Sequence, residues 1–121
     1  MFDDRARALA GRFWPGPLSL VLPRAERSRT WDLGEDASTV AVRMPHHPLA
    51  LAVLASTGPL AVTSANRSGE PTPTTCEGLR AVFGDTVDVY LCEAAPIAGS
   101  ASTVVALDGS ELRVLRLGAV G

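Results

Sequence analysis

The run "LAVTSANRSGEP", residues 60–71, ends an apolar stretch at Thr63 and continues in small hydroxyl, amide and glycine residues. A plain connecting turn needs one glycine or one asparagine. Here Thr63, Ser64, Asn66 and Ser68 crowd hydrogen-bonding groups around Gly69, ahead of Pro71 and Pro73. A strand that stops on such a set suggests a sheet whose loops hold something polar, because ligands of open α/β sheets collect at strand ends.

The flanking sequence supports that fold class. Upstream, "FDDRARALAGRFWPGP" predicts a short helix: Asp3 and Asp4 suit its first turn, Leu9 and Phe13 share a face, and Pro15 and Pro17 stop it. "LSLVLP" predicts a strand, residues 24–36 an aperiodic polar loop, and "STVAVRMP" a second strand ending at Pro45. "HHPLALAVLASTG" then predicts a helix, with Pro48 near its first turn and Gly58 past its end, and "PLAVT" a third strand. Downstream, "TPTTCEGLRAVFG" predicts a helix with Glu77 in its first turn and Gly84 as its stop, and "VDVYLC" a fourth strand. Asp108-Gly109 between "ASTVVAL" and "ELRVLRLG" is a hairpin signal. The expected architecture is α/β, a twisted mixed sheet with flanking helices, in a single domain over residues 1–121.

Composition excludes several function classes. The chain has 121 residues, 46% hydrophobic and 20% charged, and no apolar run approaches the ~18 residues of a membrane span. Charged residues follow Met1 where a signal peptide would place an apolar segment, so a cytoplasmic location is the expectation. Eleven basic against 13 acidic residues give a net charge of −2, without the excess of a protein that binds nucleic acid by charge alone. All eleven are arginine, whose planar fork suits carboxylate and phosphate. Cys76 and Cys92 have no second pair, which indicates neither zinc nor a disulfide framework; they are expected as partly buried thiols.

Three polar clusters lie at or beside the ends of expected strands: Thr39 with Arg43, the Ser64–Asn66 turn, and Ser102–Thr103 with Arg116. Taken singly, each is more often a plain turn or a solvated strand face. His46 and His47 lack an Asp, Glu or Cys at a spacing that completes a metal site or a catalytic pair, and so lead into the helix. No G-x-S-x-G, P-loop or G-x-G-x-x-G is present. The residues alone therefore support an α/β domain with an anion site and name no catalytic group.

In their order, "FWPGPLSLVL", "VAVRMPHHP", "LAVTSANRSGEPTPT", "GSASTVV" and "LRVLRLG" resemble the YrdC-like family of threonylcarbamoyl-AMP synthases over nearly the whole chain, with the S-x-N element at Ser64 and Asn66 as the signature. The resemblance implies a nucleotidyltransferase that joins L-threonine, bicarbonate and ATP, with Mg2+ accompanying the ATP, into threonylcarbamoyl-adenylate for tRNA modification. It places Arg43, Ser64 and Ser102 at the threonine and Thr39, Asn66, Thr74 and Arg116 at ATP. The residue spacing itself shows no protein-bound metal site, and without a membrane-length apolar run no membrane partner is expected.

Two departures accompany the likeness. The family's PGPLT motif has Ser19 in its last position here, and the family's upstream K-x-R element has no counterpart in a chain without lysine. The chain is thus expected to match the C-terminal portion of the domain and to be weak in activity by itself. Two other readings stand beside the synthase: an RNA-binding YrdC-like module without catalysis, and a carbamoyl-transfer domain of a larger protein.

Overall fold

The computed structural model describes residues 2–93 and 99–120. Contacts divide the chain into two units, Met1–Leu60 with Ser100–Gly121, and Ala61–Gly99.

The first unit begins with helix α1 (Asp4–Phe13). Asp3 caps it by accepting from the Ala6 amide at 2.9 Å, which satisfies one of the four amides a helix start leaves without partners. The helix ends at Trp14, and the Trp14–Pro15 peptide is cis. Strands β1 (Leu18–Pro23), β2 (Thr39–Val42), β3 (Thr103–Asp108) and β4 (Glu111–Arg116) form one sheet in the order β2-β1-β3-β4. The β1–β2 and β3–β4 pairs are antiparallel and β1–β3 is parallel, so the sheet is mixed as expected. The predicted hairpin turns at Gly109 and Ser110, directly after the Asp108–Glu111 pair, and Gly109 takes φ 55°, a value that disfavours a side chain.

Leu18, Leu20 and Leu22 alternate along β1 and pack with Val105, Leu107 and Ala6 of α1, and Leu9, Ala10, Phe13 and Val42 close the rim. Complete burial of Leu18 and Leu20 is worth roughly 2–3 kcal/mol each, which pins α1 to one face of the sheet. Helix α2 (Pro48–Thr57) is capped by His47, whose Nδ1 accepts from the Ala50 amide at 3.4 Å, and ends at Gly58 with φ 76°. The loop before β2 contains one 3-10 turn, Glu26–Ser28. Arg24, 5% exposed, ties that loop down by donating to the carbonyls of Ser28 and Trp31.

The second unit holds helix α3 (Cys76–Phe83), capped by Thr75, whose Oγ1 accepts from the Gly78 amide at 3.0 Å. Arg80 lies over the Tyr90 ring, and the Tyr90 hydroxyl donates to the Gly84 carbonyl at 2.7 Å.

Three sequence expectations are corrected. "PLAVT" and "VDVYLC" are not strands: among the described residues neither run has a ladder partner, and Leu60, Val62, Val89 and Leu91 are at least half exposed. Alternation prepares a chain for a sheet, but a strand exists only when a neighbour satisfies its backbone. The third correction concerns the cysteines. Cys76 and Cys92 form a disulfide, with Cα atoms 5.6 Å apart, within the range a disulfide requires.

Candidate active site

Successive side chains of a strand point to opposite faces, so the register sorts the candidate residues. Leu18 and Leu20 face α1 together with their partners Thr103, Val105 and Val42. Ser19 and Val21 point the other way, with Val104 and Ala106 of β3, Ala41 and Thr39 of β2, and Arg113 and Arg116 of β4. The same alternation carried one residue past β2 puts Arg43 on this second face, and carried one residue before β3 it puts Ser102 there. Four candidates far apart in sequence, Thr39, Arg43, Ser102 and Arg116, therefore share the face opposite the apolar core.

Three of them gather at one end of that face, where β1 and β3 begin. Ser19 stands level with Arg43 and with Val104, whose β4 partner is Arg116, and Ser102, two residues before Val104, reaches diagonally to Ser19 to complete the row. Ser102 is 7% exposed, and its hydroxyl lies 2.9 Å from that of Ser19. Arg116 donates to the Ser102 carbonyl through Nε at 3.1 Å and Nη2 at 2.8 Å, and through Nη2 to the Ser102 hydroxyl at 3.2 Å. Arg43 donates through Nε to the Gly16 carbonyl at 3.0 Å. The ion pairs among the described residues are Arg5–Asp3 and Arg7–Asp4, so no carboxylate neutralises Arg43 or Arg116 there. Two such guanidinium groups flanking two hydroxyls are suited to an anion.

Thr39 is not part of this row. It lies four residues from Arg43 along β2, about 13 Å at strand spacing. Its hydroxyl donates to Asp36 at 2.9 Å, and Asp36 also accepts from the Ser38 hydroxyl at 2.6 Å and the Ser38 amide at 2.8 Å. These bonds, led by that from the Ser38 side chain, hold the Asp36 carboxyl down to about 2. Thr39 borders a cavity of about 460 Å³ lined also by Val21, Asp36, Ser38, Asp108 and Arg113.

Ser64, Asn66 and Thr74 belong to the second unit. Asn66 donates to the Arg67 carbonyl at 2.9 Å and accepts from the Thr72 hydroxyl at 3.2 Å, so its amide braces its own loop with one donor and one lone pair left over. Residues 67–70 close a turn through the Glu70 amide and the Arg67 carbonyl, with Gly69 at φ 80° in the position that demands it. Ser64 and Thr74 are exposed, and their hydroxyls meet no hydrogen-bond partner among the described residues. Thr74 directly precedes the cap of α3.

Two residues outside the candidate set complete the row. Ser19 holds Ser102, and its place between two core leucines was the available signal, because alternation sends it to the opposite face. Gly118 passes so close to the chain at Ala101 and Ser102 that a Cβ there would sit 2.3 Å from the Ala101 carbonyl oxygen and 2.6 Å from that of Ser102. Nothing in the sequence pattern reports such an approach.

A family model described as Telomere recombination, covering Sua5, YciO and YrdC sequences, matches residues 1–118. A Mycobacterium tuberculosis relative is 49% identical over 117 residues, 97% of this chain and 54% of the relative. The threonylcarbamoyl-AMP synthase of Bacillus subtilis is 47% identical over 75 residues, 61% of this chain and 22% of that enzyme. The solved structure of P. abyssi Sua5 complexed with L-threonine superposes with a TM-score of 0.81 at 36% identity, over 98% of this chain and 35% of that one. The chain thus spans about half the length of its mycobacterial relative and about a third of the P. abyssi structure.

Proposed function

From the premise that the chain belongs to the Sua5/YciO/YrdC family, we propose that it carries threonine- and ATP-binding residues of a threonylcarbamoyl-AMP synthase, an enzyme of the nucleotidyltransferase type. The observation that supports this most directly is the row of Arg43, Ser19, Ser102 and Arg116, with two arginines that no carboxylate neutralises among the described residues.

The reaction brings two anions together. The amine of L-threonine takes up CO2 from bicarbonate as a carbamate, and a carbamate oxygen attacks the α-phosphorus of ATP. The bond to the bridging oxygen breaks and pyrophosphate leaves. Such a step depends on positioning and on donors aimed at charged oxygens. Arg43 and Ser102 take the threonine, Arg116 the nucleotide phosphates, and Thr39 the far end of the nucleotide, while Ser64 at threonine and Asn66 and Thr74 at ATP rest on the family likeness. Mg2+ enters with ATP as part of the substrate. Phosphate oxygens of ATP, hard oxygen donors, would hold it. The adenylate would serve tRNA modification in the cytoplasm; among the described residues no helix is long and apolar enough to cross a membrane.

Thermal unfolding tests the reading, because a ligand that binds only the folded state raises its midpoint. L-Threonine and ATP should each raise it, and L-valine, which replaces the hydroxyl by a methyl, should raise it less than threonine. A midpoint moved by neither substrate but by RNA would replace this reading with the RNA-binding module.

A further inference from the structure

Within that reading, we infer that Ser19 is a further ligand-contacting residue, whose hydroxyl presents its proton to the carboxylate of the bound amino acid beside Arg43. Arg116 is a donor only, so the Ser102 hydroxyl must accept from it at 3.2 Å. A hydroxyl that accepts from a cation becomes the better donor, because hydrogen bonds in a chain polarise one another. The acceptor within reach is Ser19 Oγ, at 2.9 Å. That oxygen then has its own proton unused: among the described residues its hydroxyl has no partner other than Ser102. Distance alone would let either hydroxyl donate, and on this polarisation the order of donation is assigned as Arg116 to Ser102 to Ser19, whose outer end is the more accessible hydroxyl, since Ser102 is 7% exposed and Ser19 half-buried.

The position of that end gives the proton its use. Continuing the β1–β2 register one residue past Leu20 and Val42 sets Arg43 level with Ser19 on the same face. Arg43 uses its Nε on the Gly16 carbonyl and carries no ion pair among the described residues. A hydroxyl proton and a guanidinium side by side suit the two oxygens of one carboxylate. The charge of Arg116 reaches the ligand through two hydroxyls rather than by contact.

Calorimetric titration of the 121-residue chain, its Ser19→Ala variant and its Ser19→Thr variant with L-threonine and with L-threoninol, which lacks the carboxylate, tests the inference. Ser19→Ala should weaken L-threonine about tenfold, as expected for one bond to a charged group, and leave L-threoninol within about twofold by the same reasoning. Ser19→Thr, which keeps the hydroxyl, should stay close to the parent for both. An unchanged L-threonine affinity in Ser19→Ala overturns the inference, as does an equal loss for both ligands, which is what a structural role alone would produce. Absence of L-threonine binding by the parent chain overturns the functional reading itself and the inference with it.

Discussion

Arg116 holds the carbonyl of Ser102 with two of its nitrogens, at 3.1 and 2.8 Å, and so fixes the end of β4 against the residue that precedes β3. One arginine thereby serves the sheet and the candidate site together. Its Nη1 protons meet no acceptor among the described residues and remain available for a phosphate.

Arg116→Lys should therefore cost more than its unchanged charge suggests. A lysine ammonium is a point charge and cannot reproduce the fork. Losing charge-assisted bonds costs about 1.5–3 kcal/mol each in exchange for little, so ATP affinity should fall at least tenfold, read by titration with the nucleotide. An affinity within twofold of the parent would show that the fork is dispensable.

The pair Cys76–Cys92 links two positions 16 apart in the sequence of the second unit. Chain entropy assigns such a cross-link about 3 kcal/mol through the unfolded state. Cys92→Ser should lower the stability of this unit by that order, and dithiothreitol should bring the parent down to the variant while leaving the variant unchanged. Denaturant unfolding in the presence and absence of the reductant reads both effects. A parent indifferent to complete reduction would mean that the Arg80–Tyr90 stacking and the Tyr90–Gly84 bond already hold the loop.

Asp36 supplies a pH signature. Its folded-state value of about 2 lies below the ordinary 3.8, so its contribution to stability is present above 3.8 and is lost as pH falls through about 2. The Asp36 carboxyl carbon, followed by NMR, should titrate near 2, and the Ser38 amide should move with it. A midpoint near 3.8 would mean that the Ser38 and Thr39 hydroxyls do not hold the carboxylate in solution.

What the sequence made legible was local. Asp3, Pro48, Thr75, Gly58 and Gly84 mark helix ends by rules that need only near neighbours, and Asp108-Gly109 marks a hairpin in the same way. Partnership across the chain was not legible. "VDVYLC" alternates as well as "LSLVLP" does, yet among the described residues only the second meets strand neighbours, β2 and β3. Cys76 and Cys92 likewise show a spacing of 16 in the sequence but not the 5.6 Å between their Cα atoms. For the site, alternation places Arg43, Ser102 and Arg116 on one face only after the register is known. The bulge between Val104 and Val105, which sets the position of Arg116, has no sequence mark.

Gly118 gives the most severe test of the row, because it has no side chain of its own and acts only through the backbone it packs against. It follows β4 closely, and its amide donates to Thr103 Oγ1 at 3.0 Å. An added Cβ would meet the Ala101 oxygen at 2.3 Å, the Ser102 carbonyl carbon at 2.5 Å and the Ser102 oxygen at 2.6 Å. All three are backbone atoms, so no side chain can swing aside and the strand itself must shift. Overpacking of this kind costs about 1–3 kcal/mol, and here the displaced atom is the oxygen that takes both bonds from Arg116. Gly118→Ala should therefore lower the unfolding free energy by that amount and weaken ATP in the folded fraction at least as far as Arg116→Lys does. Gly11→Ala, on the exposed side of α1 with nothing within 4 Å of the added Cβ, is the control and should leave binding unchanged. Denaturant unfolding and nucleotide titration of the two variants separate the outcomes. A Gly118→Ala protein that binds ATP like the parent would show that the carbonyl of Ser102 does not need its present position for Arg116 to work.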